Sequence, residues 1–156
     1  MTEQTKRDLP LSRIIHGHWR LSDWQLSSQE LLQLTEQCIE LGISSFDHAD
    51  IYGNYSCESL FGEALRHKPG LRQDLQIISK CGIKLKSHKF PERRVKIYDY
   101  RYDYIMRSAE NSLRNLGTDH LDLLLLHRPS PFFEPEEAAR AFSDLQTSGK
   151  VKNFGV

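Results

Sequence analysis

The chain has 156 residues with 21 basic and 21 acidic side chains, so its formal net charge at neutral pH is zero. This length fits about one domain, and the balanced charge gives no general attraction to nucleic acid. No run of about 18 apolar residues could span a membrane, and the N-terminal MTEQTKRDLP lacks the apolar core of a secretory signal. The three cysteines lack CxxC spacing, which argues against a disulfide framework. We therefore expect a cytoplasmic protein.

The first predicted unit is a strand followed by a helix. Residues 13–21 (RIIHGHWRL) read as the strand, and residues 27–41 have the periodicity of an amphipathic helix. Ser27 and Glu30 have the spacing of a capping box at the start of this helix, and Gly42 supplies its stop signal. The predicted apolar face of the helix carries Leu31, Leu34, Cys38 and Leu41.

The same alternation continues through the rest of the sequence. The further predicted elements are a strand over 43–49, a helix over 57–67, a strand over 75–82, a helix over 102–116, a strand over 121–127, a helix over 135–147 and a strand over 151–156. One face of the helix over 102–116 is apolar and carries Ile105, Ala109, Leu113 and Leu116.

Apolar strands that alternate with helices indicate a parallel sheet in an α/β fold. An open doubly wound sheet and a closed eight-stranded barrel both satisfy this pattern. A doubly wound nucleotide-binding protein carries GxGxxG after its first strand, which HGHWRL does not provide. We therefore predict a (β/α)8 TIM barrel. Such a barrel needs about 250 residues, so residues 1–156 are expected to be the N-terminal portion of one barrel domain, with strands one to five and their helices.

One segment of the sequence is strongly basic. Residues 84–101 (KLKSHKFPERRVKIYDYR) contain seven lysines and arginines and two acidic residues, which gives a local charge of +5. The segment can be a solvated loop inserted after the third strand. Alternatively, it can form a lip of the active site that attracts a phosphate-bearing ligand or an anionic substrate.

Four reactive side chains stand at or near the carboxyl ends of predicted strands, where barrel active sites lie. They are Asp47, Tyr52, Lys80 and His127. Each has a structural explanation when taken alone: the aspartate can cap a turn, the lysine can extend along apolar surface, and the histidine can belong to the core. Their occurrence at corresponding positions of one rim favours a shared catalytic role.

These side chain types suit proton transfer to a carbonyl oxygen. An unperturbed tyrosine hydroxyl titrates near pH ~10, so Tyr52 needs a neighbouring cation that favours its phenolate form. Lys80 can supply that cation, Asp47 can hold the ammonium in place, and His127 can orient the carbonyl. No side chain delivers hydride, so a nicotinamide cofactor is expected as the reductant.

The motifs that contain these residues resemble a known family. FDxADxYG with a following glutamate, SKxG and LLxHRP occur in GISSFDHADIYGNYSCESLFGEAL, LQIISKCG and LDLLLLHRP, and SGKVKNFGV follows them. In order and spacing, these segments resemble the aldo-keto reductases, which are barrel enzymes that reduce aldehydes and ketones with NADPH. The resemblance runs from about Arg13 to Val156 and is strongest to a subgroup of bacterial oxidoreductases.

The resemblance assigns a role to each residue of the rim. It implies that Tyr52 is the proton donor, that Lys80 promotes release of that proton, and that His127 binds and orients the substrate carbonyl. Asp47 would pair with Lys80 and also touch the nicotinamide ribose. The turn after the first strand would lie against the cofactor, and its matching residues are Gly17 and His18.

The sequence also departs from the family pattern. His48 stands where threonine is common, and His16 and His18 are unusual. Family members continue after the final GV with three more strands, which carry the groups that bind the adenine and the 2′-phosphate. We therefore expect the 156-residue chain by itself to be inactive and to bind NADPH weakly.

Two alternatives to a working reductase are considered. The first is a metal-dependent barrel hydrolase, in which His16 and His18 form an HxH zinc pair with Lys80 and His127 at later strand ends. The second is an inactive barrel fragment whose open edges pair with a second copy or a complementary half. For the reductase, we expect a small carbonyl substrate, with neither nucleic acid nor membrane as a partner.

Overall fold

The structure, a computed structural model, describes residues 9–128 and 130–156. Most of the N-terminal MTEQTKRDLP segment and Pro129 of the LLxHRP motif lie outside the described residues. Among the helices of the described ranges, none combines the length and the apolar character that crossing a membrane requires.

Within the described ranges, five strands form one parallel sheet, in the order β1-β2-β3-β6-β7. Their bounds are β1 Ile15–Gly17, β2 Ser45–Asp47, β3 Gln76–Cys81, β6 Leu123–Leu126 and β7 Phe154–Gly155. All four pairings are parallel, and helices connect the successive strands. This confirms the predicted architecture, the first five strands of a (β/α)8 barrel with an open edge at β1 and at β7.

Among the residues that the structure describes, four α-helices cover the sheet, and their positions agree closely with the sequence periodicity. They are α1 Ser28–Glu40, α2 Cys57–Arg66, α3 Tyr102–Leu116 and α4 Pro135–Thr147. The capping box of α1 is present: Ser27 Oγ accepts from the backbone N–H of Glu30 at 3.2 Å, and the Glu30 carboxylate accepts from the backbone N–H of Ser27 at 2.8 Å. The α3 face is buried as predicted. Leu41 was wrongly placed in the α1 core face: it is 78% exposed because the helix ends at Glu40.

The strands are shorter than the apolar runs that predicted them. The first covers three residues instead of nine, because the chain turns after Gly17 into a short 3-10 helix, Leu21–Asp23. Ile14, inside the predicted strand, is 63% exposed and does not pair. Apolar composition predicts burial, whereas a strand also needs a neighbour in register for its backbone hydrogen bonds.

The two faces of the sheet have different surroundings. Phe46 and Ile77 are paired in register on the face that the helices cover, and both are fully buried. Phe61 of α2 packs on Phe46 with ring centroids 5.5 Å apart. Because side chains alternate along a strand, Asp47 and Lys80 lie on the opposite face, which corresponds to the interior of a closed barrel.

The basic segment contains a hairpin that the sequence did not predict. Antiparallel strands β4 (Ile83–Lys84) and β5 (Ile97–Tyr98) are too short to give an alternating pattern. Next to them, the buried carboxylate of Asp99 accepts from Arg101 at 2.8 Å and lies 3.3 Å from the Lys84 ammonium. Hydrogen bonds from Arg101, opposed by burial and supported by Lys84, lower the pKa of Asp99 to about 2.

Candidate active site

The four predicted site residues converge at the carboxyl edge of the parallel sheet. Asp47 ends β2, Lys80 is the penultimate residue of β3, and His127 directly follows β6. Tyr52 lies in the turn between β2 and α2. Parallel strands bring their carboxyl ends to one edge, and this topology brings together four residues that are spread over 81 positions of the chain.

Lys80 is the centre of the cluster. Its ammonium lies 2.6 Å and 2.7 Å from the two carboxylate oxygens of Asp47, and it donates to Tyr52 Oη at 2.9 Å and to the carbonyl oxygen of His48 at 2.9 Å. The side chains of Lys80 and Asp47 are 15% and 25% exposed. An ammonium only donates hydrogen bonds, so the Tyr52 oxygen accepts from Lys80 and its own O–H points away from the lysine.

A tight turn holds Tyr52 over the edge of the sheet. The Tyr52 N–H donates to the carbonyl of Ala49, and the Tyr52 carbonyl accepts from the N–H groups of Ser56 and Cys57. Gly53 has φ +56°, and a Cβ at this position would lie 2.5 Å from Cys57 Sγ. The YG pair of the motif is therefore explained locally, because only glycine fits directly after the tyrosine.

His127, at the carboxyl end of β6, lies beside the Tyr52 ring. The two rings are nearly perpendicular, with centroids 5.9 Å apart. The backbone N–H of His127 donates to the carbonyl of Cys81 at 2.8 Å. Burial, together with the positive charges of Lys80, Arg128 and Lys96, lowers the pKa of His127 to about 4. The imidazole is thus neutral at pH 7. Its Nδ1 is buried and has no hydrogen-bond partner among the described residues, so we assign the ring proton to Nε2.

The other histidines lie on the opposite face of the sheet. The side chains of His16 and His18 do share a face, but this face packs against the helices, and His18 is only 1% exposed. The His18 ring stacks on Phe46 and hydrogen-bonds with His48 at 3.1 Å between ring nitrogens. Burial lowers the pKa of His18 well below its ordinary value, with further contributions from the neighbouring histidines.

This placement bears on the two roles considered for these residues: a zinc-binding pair formed by His16 and His18, and a turn at His18 that lies against the cofactor. The sheet separates the HxH pair from Lys80 and His127, and the described residues contain no group of three or more His, Cys, Asp or Glu side chains suited to a metal ion. The geometry therefore does not favour the metal-dependent hydrolase. At the rim, His18 presents its backbone: its N–H donates to the carbonyl of Asp47 at 2.9 Å. Gly17 is paired with Asp47 and has open space where a side chain would be.

Two buried carboxyl groups behind the rim were not singled out from the sequence. Asp50 Oδ2 accepts from Ser108 Oγ at 2.7 Å, and Glu58 Oε1 accepts from Ser79 Oγ at 2.7 Å. Burial raises the pKa of both groups, that of Asp50 to about 7. Both residues belong to the motif FDxADxYG with its following glutamate, and this motif is the sequence signal that could have identified them.

All three cysteines are free and buried, and burial raises the pKa of the Cys81 thiol well above its usual range, so that thiol is unreactive.

Comparison with known sequences agrees with this geometry. The Aldo/keto reductase family profile matches residues 13–156. The chain is 52% identical to the uncharacterized oxidoreductase YcsN of Bacillus subtilis over 98% of its length, and 50% identical to the oxidoreductase YdhF of Escherichia coli over 93%. It is also 46% identical to a 6-dehydroglucose reductase of Agrobacterium fabrum over 95% of its length. The chain spans about half the length of each of these relatives.

Solved structures give the same result for the fold. An aldo-keto reductase of Bacillus halodurans, AKR11C1 in its holo form, superposes with a TM-score of 0.76 at 27% identity, over 93% of this chain and 45% of that one. An aldo-keto reductase of Klebsiella pneumoniae in complex with NADPH superposes with a TM-score of 0.70 at 28% identity, over 91% and 44% of the two chains.

Proposed function

Because the chain belongs to the aldo/keto reductase family, we propose that it forms the catalytic half of a barrel that reduces an aldehyde or ketone to an alcohol with NADPH. The observation that carries the proposal is the hydrogen bond from Lys80 Nζ to Tyr52 Oη, with Asp47 holding the other side of the same ammonium. This arrangement suits a tyrosine that gives up its proton while a fixed cation stabilises the phenolate left behind.

Tyr52 completes the reduction by protonating the substrate oxygen. A bound nicotinamide supplies hydride to the carbonyl carbon, which forms the C–H bond and moves the C=O π electrons onto oxygen. The Tyr52 O–H, directed away from Lys80, then donates its proton to this oxygen, which gives the alcohol. Lys80 is already within 2.9 Å of the phenolic oxygen, so negative charge that develops there meets a positioned ammonium.

His127 orients the carbonyl. With its proton on Nε2, the neutral ring can donate a hydrogen bond to the substrate oxygen beside Tyr52. Its low pKa matters for this role, because a protonated imidazole would compete with Tyr52 as the acid. The edge-on contact between the two rings places the His127 imidazole beside the Tyr52 phenol, with ring centroids 5.9 Å apart.

The residues at the ends of β1 and β2 fit a nicotinamide cofactor. Asp47 keeps a quarter of its side chain exposed on the interior face, where it can accept from a ribose hydroxyl. Gly17 leaves space beside it, and the backbone of His18 can lie against the cofactor. The NADPH complex of the Klebsiella pneumoniae relative supports NADPH as the cofactor of this chain.

The substrate is proposed to be a small polar carbonyl compound. Two relatives, 46% and 33% identical to this chain, are named 6-dehydroglucose reductases, which supports a sugar-derived aldehyde as a candidate. Lys96 and Arg128 place positive charge near His127 and favour substrates that carry an anionic group.

The proposal is tested in a complete barrel, obtained as a natural longer protein that includes these residues or by joining residues 1–156 to the C-terminal half of the Bacillus subtilis relative. Tyr52→Phe should lower the NADPH-dependent reduction of 6-dehydroglucose or a model aldehyde about 10²–10⁴-fold and leave the Kd for NADPH within a factor of two or so. Tyr98→Phe is the matched control, because Tyr98 is exposed in β5. Full activity of Tyr52→Phe would show that the tyrosine is not the proton donor.

A further inference from the structure

We propose that His48 is a positioning residue, which through its buried hydrogen bond to His18 holds Lys80 against Tyr52. The inference rests on the proposed function, since the position of Lys80 matters for catalysis only if Tyr52 transfers a proton. His48 does not touch the rim with its side chain, and nothing in the motif chemistry requires a histidine directly after the aspartate.

The Lys80 ammonium is held in large part by two consecutive residues. Of its three partners, Asp47 and His48 are consecutive residues at the exit of β2. The Asp47 carboxylate and the His48 carbonyl oxygen approach the ammonium from the same short stretch of backbone, at 2.7 Å and 2.9 Å. Any displacement of the backbone of these two residues would therefore move two of the three residues that accept from Lys80.

Backbone and side-chain hydrogen bonds fix this stretch of backbone. The His48 N–H donates to the carbonyl of Ile78 at 2.9 Å, and the His18 N–H donates to the carbonyl of Asp47 at 2.9 Å. On the helix side, the His48 ring is 0% exposed, hydrogen-bonds with the His18 ring at 3.1 Å, and packs on Phe61 with centroids 4.7 Å apart. The two histidines thus join the ends of β1 and β2 through both backbone and side chain.

The hydrogen bond between His18 and His48 joins two uncharged rings. Burial, together with the nearby charge of Lys80 and a smaller contribution from His16, lowers the pKa of His48 to about 3. Both rings are therefore neutral at pH 7, and one nitrogen donates while the other accepts. His48 Nδ1 is buried and has no hydrogen-bond partner in the described ranges. A bare lone pair is better tolerated there than an unpaired N–H, so we assign the donor to His48 Nε2 and the acceptor to His18 Nδ1.

Loss of the His18–His48 hydrogen bond is expected to slow the reaction. A displacement of about 1 Å can cost 10²-fold in rate when a catalytic group loses its alignment. Without the His18–His48 hydrogen bond, the backbone of Asp47 and His48 gains freedom, and the Lys80 ammonium is less strictly held at the phenolic oxygen. The expected result is a loss in the rate of the chemical step that is larger than any loss of cofactor affinity, to which Asp47 also contributes.

The test compares three substitutions in the complete barrel. His48→Phe keeps a ring of similar size and removes the hydrogen bond, whereas His48→Gln restores a donor close to the Nε2 position. His16→Phe is the control from the same aromatic cluster, because His16 Nδ1 is buried without a partner and makes no hydrogen bond to the pair. We expect His48→Phe to lower kcat about 10- to 100-fold, His48→Gln to recover most of this loss, and His16→Phe to behave like the unmodified enzyme.

The pH profile separates positioning from a general loss of structure. With Lys80 loosened, the phenolate of Tyr52 is less stabilised, so the alkaline limb of the kcat profile should move to higher pH in His48→Phe. A purely structural defect lowers the rate equally at all pH values. An unchanged limb, or a loss that His48→Gln does not recover, would overturn the proposal. If His48→Phe does not fold, His18→Phe breaks the same bond from the other ring and is judged by the same criteria.

The proposed function can fail separately from this inference. Tyr52→Phe is measured in the same series, and its full activity would refute the proton-donor role regardless of the histidine variants. If Tyr52→Phe is inactive and His48→Phe has unmodified kcat and pH dependence, the proton-donor proposal stands and the positioning role of His48 is refuted.

Discussion

Arg72 and Asp122 form a buried salt bridge of 2.9 Å at the end of the sheet opposite Tyr52. Asp122 precedes β6, and its carboxylate also accepts from the backbone N–H of Ile77 at the start of β3 and from Lys152 before β7. The Arg72 guanidinium donates further to the carbonyls of Leu75 and His120. One ion pair therefore fixes the amino-terminal ends of three neighbouring strands, and two of them, β3 and β6, carry Lys80 and His127 at their carboxyl ends.

Asp122→Asn is expected to lower stability without changing the chemistry of the site. Removing one partner of a buried pair leaves Arg72 uncompensated, at a cost of about 3 kcal/mol. Asp119→Asn is the control, because that carboxylate is 89% exposed and should change the unfolding free energy by less than about 0.5 kcal/mol. Urea unfolding measures both effects. A KM or kcat change in Asp122→Asn as large as that in Tyr52→Phe would contradict the separation of the two ends of the sheet.

The same carboxylate should contribute to acid denaturation. Burial alone would raise the pKa of Asp122, but the Ile77 N–H and the charge of Arg72 outweigh burial and hold it below the usual value. A lowered folded-state pKa gives stability that is present above pH 3.8 and is lost as pH falls further. The stability difference between the unmodified chain and Asp122→Asn should therefore shrink below about pH 4.

Asp50 should give a pH dependence of opposite sign. Burial and the nearby Glu58 raise its pKa to about 7, opposed by the Ser108 hydrogen bond and by Arg93. The stability that the neutral carboxyl contributes is present below pH 3.8 and is lost as pH rises toward 7. Asp50→Asn keeps an acceptor for Ser108 and cannot ionise. Relative to the unmodified chain, its unfolding free energy should rise on the order of 3 kcal/mol between pH 4 and pH 8.

A histidine variant provides the matched comparison for this slope. Burial and the charge of Lys80 lower the pKa of His48 from 6.5 to about 3. The stability that the neutral ring contributes is therefore present above pH 6.5 and is lost as the pH falls from 6.5 toward 3. His48→Phe removes this dependence, and its stability relative to the unmodified chain should rise on acidification. Parallel denaturant titrations of both variants measure the two slopes. If the unfolding free energies of Asp50→Asn and His48→Phe, each relative to the unmodified chain, changed with pH in the same direction, the burial of Asp50 or of His48 would be contradicted.

Lys96 should favour anionic carbonyl substrates in the complete barrel. Its charge is among those that act on His127, whereas the charge of Arg94, which is also exposed and lies in the same segment, is not. Lys96→Glu should therefore raise KM for 4-carboxybenzaldehyde several-fold at low salt and leave KM for 4-nitrobenzaldehyde nearly unchanged, and added salt should reduce the difference. Arg94→Glu makes the same charge change and should affect both substrates little. Equal effects of the two variants would indicate a solvated loop without a role in substrate selection.

The 156-residue chain by itself is expected not to bind NADPH tightly. The described sheet has five strands, and β1 and β7 each have one strand neighbour, so the interior face stays open. Fluorescence titration should give a Kd for NADPH at least about 100-fold weaker than that of the complete barrel. Analytical ultracentrifugation should show self-association through the open edges of the sheet. A proline introduced into β1 by substitution should weaken this association. A monomer with tight NADPH binding would contradict this expectation.

The sequence by itself determined the order of elements and the identity of the rim residues. Helix periodicity gave α3 and α4 their observed bounds, because the 3.6-residue repeat is a local property of the chain. The positions of Asp47, Tyr52, Lys80 and His127 followed from one topological fact, that parallel strands bring their carboxyl ends to a single edge. Strand lengths did not follow, because they depend on neighbours that are distant in the chain.

Only the tertiary structure decided which face each polar residue occupies. His16 and His18 look like a ligand pair in sequence, yet the register of β1 with β2 places them with Phe46 on the helix side, away from Asp47 and Lys80. A shift of one residue in a strand would reverse the face of every side chain, and sequence alone does not fix that register. The low pKa of His48 and the high pKa of Asp50 likewise arise from burial that only the packed helices create.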